Sequence, residues 1–234
     1  GRFYGNMLGY HDVTDSSDSA MEPPMCWITN SFDRSPAELL WVTSDKWGPL
    51  KGSLLNMSYG YGKLYVAPHE IIGDQMQGGM CELPLPQFPT GIMRGRFHPD
   101  DGDLYVTGMY SWAGTQQADG GFYRVRYTGK PIHVPVGLNC RGTTVRIGLS
   151  DEVDPESVSP ESFLISRWNI KRSKNYGSKH FDTQTIEVAS AHWDAEQREI
   201  VLELPELKPT WCMEIQMELR GADGEPIHHV IHNT

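Results

Sequence analysis

The 234-residue chain lacks most of the signatures that announce a common chemistry. No apolar run approaches the roughly 20 residues needed to span a bilayer. No G-x-S-x-G elbow, Walker loop or dinucleotide fingerprint occurs. Gly60 and Gly62 fall between strand-like runs and so lack the helix N-terminus that phosphate binding requires. The four cysteines, Cys26, Cys81, Cys140 and Cys212, form no C-x-x-C pair, which excludes a zinc ribbon, a thioredoxin-like motif and C-x-x-C-H haem attachment within this chain. Cationic charge is scarce, with 20 Lys and Arg against 30 Asp and Glu. Without a basic stripe the composition speaks against nucleic acid and against an anionic membrane surface. No signal peptide is present, and the opening at Gly1-Arg2-Phe3-Tyr4 reads as the interior of a longer polypeptide.

What is present favours strands and turns. The 24 Gly and 16 Pro suit many tight turns, and 7 Trp with 10 Tyr suit pleated, half-buried surfaces. The most informative feature is internal: Gly62, Leu64, Tyr65 and Val66 recur forty positions later as Gly102, Leu104, Tyr105 and Val106. Downstream, Gly78-Gly79 and Gly120-Gly121 recur with an offset of 42, which a two-residue loop insertion explains. Each unit therefore reads as strand, tight turn, strand, loop, strand. A period of about 40–50 residues with several strands per unit is the mark of a propeller blade. Cys81 and Cys212 fall in strand-like runs and are expected as buried thiols; one disulfide stays open, and spacing does not choose its partners.

Residues 1–50 are less regular. PPMCWIT and AELLWV flank an acidic, Ser-rich stretch at 11–24, expected as a long loop between strands of a preceding partial blade. After Gly137 the pattern changes to short alternating runs: TTVRIGLS, FLISRWNI, TIEVASAHW, EIVLELPEL, WCMEIQMEL and PIHHVIH, with a D-G hairpin signal at Asp223-Gly224. The expected fold is thus all-β: the last blades of a β-propeller over residues 1–136, then an Ig-like antiparallel β-sandwich over 137–234.

The words MLGYHDVTDSSDSAMEPPM (7–25), RSPAELLWV (34–42), GSLLNMSYGYGKLYV (52–66), PTGIMRGRFHPDDGDLYVTGMYSWAG (89–114), GGFYRVRYTGKP (120–131) and SRWNIKRSKNYGS (166–178) resemble a family of large secreted bacterial proteins. The propeller of that family is similar to sorbosone and glucose dehydrogenases, and it is joined to an Ig-like module and, elsewhere in the chain, to a c-type cytochrome domain. The resemblance implies a periplasmic or secreted fragment of a dehydrogenase-like protein that oxidises a sugar or alcohol and passes electrons to a cytochrome. Its partners would be the remaining propeller blades and a c-type cytochrome. The cofactor stays open: no motif in this segment fixes a quinone such as PQQ, Ca2+ is the other candidate, and haem is not bound by this segment. The rival readings are a non-catalytic module binding carbohydrate or protein, and a polysaccharide-cleaving propeller with paired carboxylates.

Two places carry the candidate chemistry. His11, with Asp12, Asp15, Asp18 and Glu22 on one loop, supplies an imidazole and several oxygen ligands, suited to a general base and to Ca2+, though the spacing is not that of an EF-hand. Asp and Ser in such a loop also favour turns by bonding to their own backbone. His69 follows the first LYV strand, where a side chain can reach a shared pocket; a solvated strand end is the plainer reading. His98 is expected to brace a turn. His228 and His232 would share a strand face but lie about 13 Å apart, too far for one metal ion. The Arg and Lys residues of 167–179 are expected on a solvated sandwich edge.

Overall fold

The computed structural model describes residues 4, 22–112, 117–171 and 177–234. Among these the chain is all-β, with antiparallel pairing throughout and three sheets. Each LYV word forms the middle strand of a meander. In the first, β1 (Pro36–Trp41), β2 (Leu54–Ser58), β3 (Leu64–Val66) and β5 (Gln75–Glu82) lie side by side, and β4 (His69–Ile72) folds back on β5. In the second, β6 (Arg94–Phe97), β7 (Leu104–Met109) and β8 (Gly120–Val125) make a separate sheet.

The repeat is carried into the hydrogen-bond ladders. Leu55 pairs with Val66 and Met57 with Leu64; forty residues on, Gly95 pairs with Val106 and Phe97 with Leu104. Tyr65 faces Glu82 as Tyr105 faces Arg124, which carries the offset of 42 through the third strand. Both meanders turn through glycines at positive φ, Gly62 and Gly102, where a Cβ would be strained. AELLWV, expected in a preceding blade, is instead the edge strand β1 of the first meander.

The second half adds β9 (Pro135–Arg141), β10 (Thr144–Leu149), β11 (Phe163–Asn169), β12 (Phe181–Ile186), β13 (Ser190–Asp194), β14 (Glu199–Glu203), β15 (Cys212–Arg220) and β16 (Pro226–Asn233). A four-stranded sheet runs β13-β14-β10-β9, while β16-β15-β11-β12 extends the first meander, because β16 pairs directly with β5. The join is tight: a Cβ added at Gly79 would lie 2.6 Å from the His232 carbonyl oxygen, so only glycine lets the two backbones approach. TIEVASAHW does not form one strand. It divides at residues 187–189 between β12 and β13, which lie in different sheets. The buried Ile186 ends one and the chain crosses over to begin the other.

The long sheet therefore has an inner face, with Met57, Val66, Cys81, Ile231, Ile215 and Ile165, on which the two smaller sheets pack. Full burial of each such side chain contributes roughly 1.5–3 kcal/mol relative to exposure. Met57 reaches Gly95, where an added Cβ would lie 2.3 Å from Met57 Cε. Trp47 stands edge-on to Phe97 at 5.1 Å, and Glu38 accepts from Gly95 N at 2.8 Å and from Arg96 Nη1 at 2.7 Å. Met57 and Phe97 occupy equivalent positions of the two meanders, so the sister units meet through like faces. Blades set round an axis by rotation meet through unlike faces; like-face contact is the arrangement of two sandwich layers. The packing differs in this from the blade stack that the repeat leads one to expect. The physical reason is the single wide apolar face that β5–β16 pairing creates.

Candidate functional site

Residues 22–35 form no strand yet lie as a strap over the outer face of the long sheet. Met25, Cys26, Ile28 and Phe32 pack on Leu54, Tyr65, Ala67 and Met80. The Tyr65 hydroxyl donates to Phe32 O at 2.9 Å, and Gly78 N donates to Met25 O at 2.9 Å. Beside the strap opens a groove of about 540 Å³, walled by Phe32 and Pro84.

Its floor follows from the register. His232 on β16 stands opposite Met80 on β5 and Glu214 on β15. Two residues along, the period-2 alternation puts Glu82, Val230 and Gln216 on the same face. His232 is 4% exposed and donates from Nε2 to Glu214 Oε2 at 2.8 Å. Phe32 stacks on its ring at 4.0 Å, and Trp168 stands edge-on at 5.7 Å. Gln216 Nε2 donates to the other Glu214 oxygen at 2.6 Å. The His232 bond, then Gln216, holds the Glu214 carboxyl below the usual carboxylate range against its partial burial. At the far side Lys63 Nζ pairs with Glu82 Oε2 at 2.7 Å, and His228 lies 3.5 Å from Glu218.

Of the sequence-predicted residues, Glu22 and His69 are described, and neither lines the groove. His11, Asp12, Asp15 and Asp18 lie outside the described residues, and Glu22 is exposed at the start of the strap. His69 sits on β4, where Nδ1–H donates to Ala67 O at 2.9 Å and Trp41 stands edge-on at 5.6 Å. Its neighbour Glu70 turns the other way, accepting from Cys140 N at 2.8 Å and from the Asn139 amide, and so clasps β4 to β9. His98 accepts from Asp100 N at 3.3 Å, the turn brace expected of it. Among the described residues no three His, Cys, Asp or Glu side chains converge on one point; the Ca2+ ligands expected at Asp12, Asp15 and Asp18 fall outside them. A quinone bearing several carboxylates, such as PQQ, would meet the groove's own Glu82 and Glu214 and does not fit the groove.

Two groupings escaped the sequence. The Glu214–His232 pair depends on the β15–β16 register, which no local signal states. Cys81 and His229 meet on the inner face, 148 positions apart, with Sγ 3.5 Å from Nδ1. His229 Nε2–H donates to His133 O at 2.9 Å, which leaves Nδ1 to accept from the thiol. Burial pushes the thiol up and the imidazole down to about 4. Both partners are thus neutral, the reverse of the thiolate–imidazolium state of a cysteine nucleophile.

A second surface is the outer face of β6–β8. Tyr105 and Phe122 stack at 5.6 Å, with Arg94, Arg96 and Thr107 around them, and Phe122 is 71% exposed. By the repeat these two rings hold the places of Tyr65 and Met80, which the strap covers in the first meander. No protein-family model, curated protein or solved structure matches the chain.

Proposed function

We propose that the described part of the chain is a recognition module that binds carbohydrate, or another ligand rich in hydroxyls, in the groove between the strap and the long sheet. The observation that carries this is the groove floor: Lys63–Glu82 and Gln216–Glu214–His232 set fixed donors and acceptors side by side on one sheet face. A hydroxyl both donates and accepts, so such an array suits a polyol better than an apolar or singly charged ligand. Cleavage by paired carboxylates needs one carboxyl with a raised pKa. Glu214 is shifted the opposite way by His232, which favours binding over hydrolysis.

The dehydrogenase reading, with electrons passed to a cytochrome, rests on the family resemblance; His69 stands on β4, apart from the groove lining. The propeller reading draws on the repeat and its shared register, while like-face packing favours a two-layer sandwich. The open Tyr105–Phe122 face supports a second reading: it is a surface on which further sheets of the same protein would pack.

The test is binding of the whole chain to a panel of immobilised polysaccharides and soluble oligosaccharides, followed by calorimetry on the best ligand. Glu214→Gln and Lys63→Ala should each weaken binding at least tenfold, and Phe122→Ser should leave it unchanged. A panel with no ligand, or affinity that survives both groove substitutions, overturns the proposal.

A further inference from the structure

The four cysteines are free thiols, yet two of them share one face. Cys81 points to the inner face, against His229. Cys140 lies on β9, in the facing layer. Cys212 opens β15 in alternation with Glu214 and Gln216 and so belongs to the outer face. Cys26 belongs to the strap that covers that face.

The residues next to them are held together. Thr234 Oγ1 accepts from Trp27 N at 2.9 Å and donates to Trp211 O at 3.0 Å, so a single hydroxyl joins the residue after Cys26 to the residue before Cys212. The Trp27 and Trp211 rings lie 5.8 Å apart. This places Cys26 against the start of β15. Burial, and then the neighbouring Cys26, pushes the Cys212 thiol up to about 12, and burial alone does the same to Cys26.

We propose that Cys26 and Cys212 form a dithiol site that closes to a disulfide and fastens the strap, with Phe32 of the groove wall, to the long sheet. The oxidant is a small-molecule disulfide such as oxidised glutathione. A thiolate of the pair attacks one sulfur of that disulfide, its S–S bond breaks, and one small thiol leaves with a proton. The second protein thiol, losing its proton, attacks the mixed disulfide and expels the other small thiol. The protein loses two protons and two electrons, and the small disulfide gains them. Because both thiols are held protonated under the strap, exchange is slow while the strap is seated and faster once it lifts.

The experiment starts from the fully reduced whole chain incubated with oxidised glutathione, with and without sub-denaturing urea. Intact mass should fall by two hydrogens without a lasting glutathione adduct, and non-reducing peptide mapping should join residue 26 to residue 212. Urea should speed the reaction at least tenfold, and dithiothreitol should reverse it with loss of protease resistance in the strap. Cys26→Ser should trap glutathione on Cys212, and Cys212→Ser should trap it on Cys26. Because folding of those variants is not assured, the wild-type map decides alone. Lasting mixed disulfides in the wild type, a link to Cys81 or Cys140, or no link at all overturns the site.

Discussion

Lys63 and Glu82 pair at 2.7 Å in the first meander at the positions that Asp103 and Arg124 occupy, paired at 2.5 Å, in the second. The charges have changed places while the geometry has stayed. Asp103 is buried, whereas Glu82 is only half-buried. Exposed pairs are screened by water and salt. Asp103→Asn should therefore lower Tm more than Glu82→Gln, and added salt, which screens the more exposed pair first, should widen the gap. The exchanged double variant Asp103→Lys with Arg124→Glu should recover part of the loss, as thermal melts of the cycle would show.

The long sheet depends on close approach at Gly79. Gly79→Ala must push back the His232 carbonyl and Asn233, at a cost of about 1–3 kcal/mol as for other overpacked sites. Gly120→Ala is the control, since only the Gly108 carbonyl oxygen lies near, at 3.7 Å. Urea titration of both should separate them; equal stability would mean that β5 and β16 are not joined in solution.

The buried His229 sets an acid limit. Its folded pKa is about 4 against 6.5 unfolded, so between those values the unfolded chain holds a proton that the native state does not. Stability is whole above pH 6.5 and is lost as pH falls to 4, by about 3 kcal/mol over the window. His229→Gln should flatten this limb in chemical denaturation at stepped pH. Loss at lower pH, from carboxylates such as Glu214 held below their usual range, should persist in the variant.

Asp33 carries the opposite sign. It is 2% exposed, with Asn56 Nδ2 donating to Oδ2 at 3.1 Å, and burial raises its carboxyl despite the Ser58 and Asn56 bonds. The native state holds this proton above the pH at which the unfolded chain releases it. Asp33 therefore lowers stability as pH rises from the ordinary 3.8 through its raised value, and the loss remains above that. Asp33→Asn should raise Tm at pH 7, with the gain fading toward pH 4.

The repeat, the turn at Asp223-Gly224 and the burial of Cys81 and Cys212 could be read from the chain because alternation, turn glycines and burial preference are local signals. The β5–β16 pairing could not, since nothing near Cys81 names Ile231 as its partner. Without that pairing the groove has no floor, and the histidines of β16 show only as a failed metal cluster. Its true content, His232 against Glu214 outside and His229 against Cys81 inside, follows from which face each residue takes once β16 is laid between β5 and β15. His69 follows LYV directly in the chain, but the β4 hairpin and the Glu70 clasp to β9, which is not a local signal, decide where it stands.

On the ribosome the order of synthesis works against this sheet. β5 is made first and must wait for Pro226–Asn233, on the order of ten seconds later at typical elongation rates. Until then a nascent chain presents the bare flank of β5, a template for pairing with whatever strand comes near. Productive folding of this polypeptide is thus a matter of guarding one flank until its own late-made strand arrives. A chaperone that shields extended edges should raise its yield more than one that merely slows collapse.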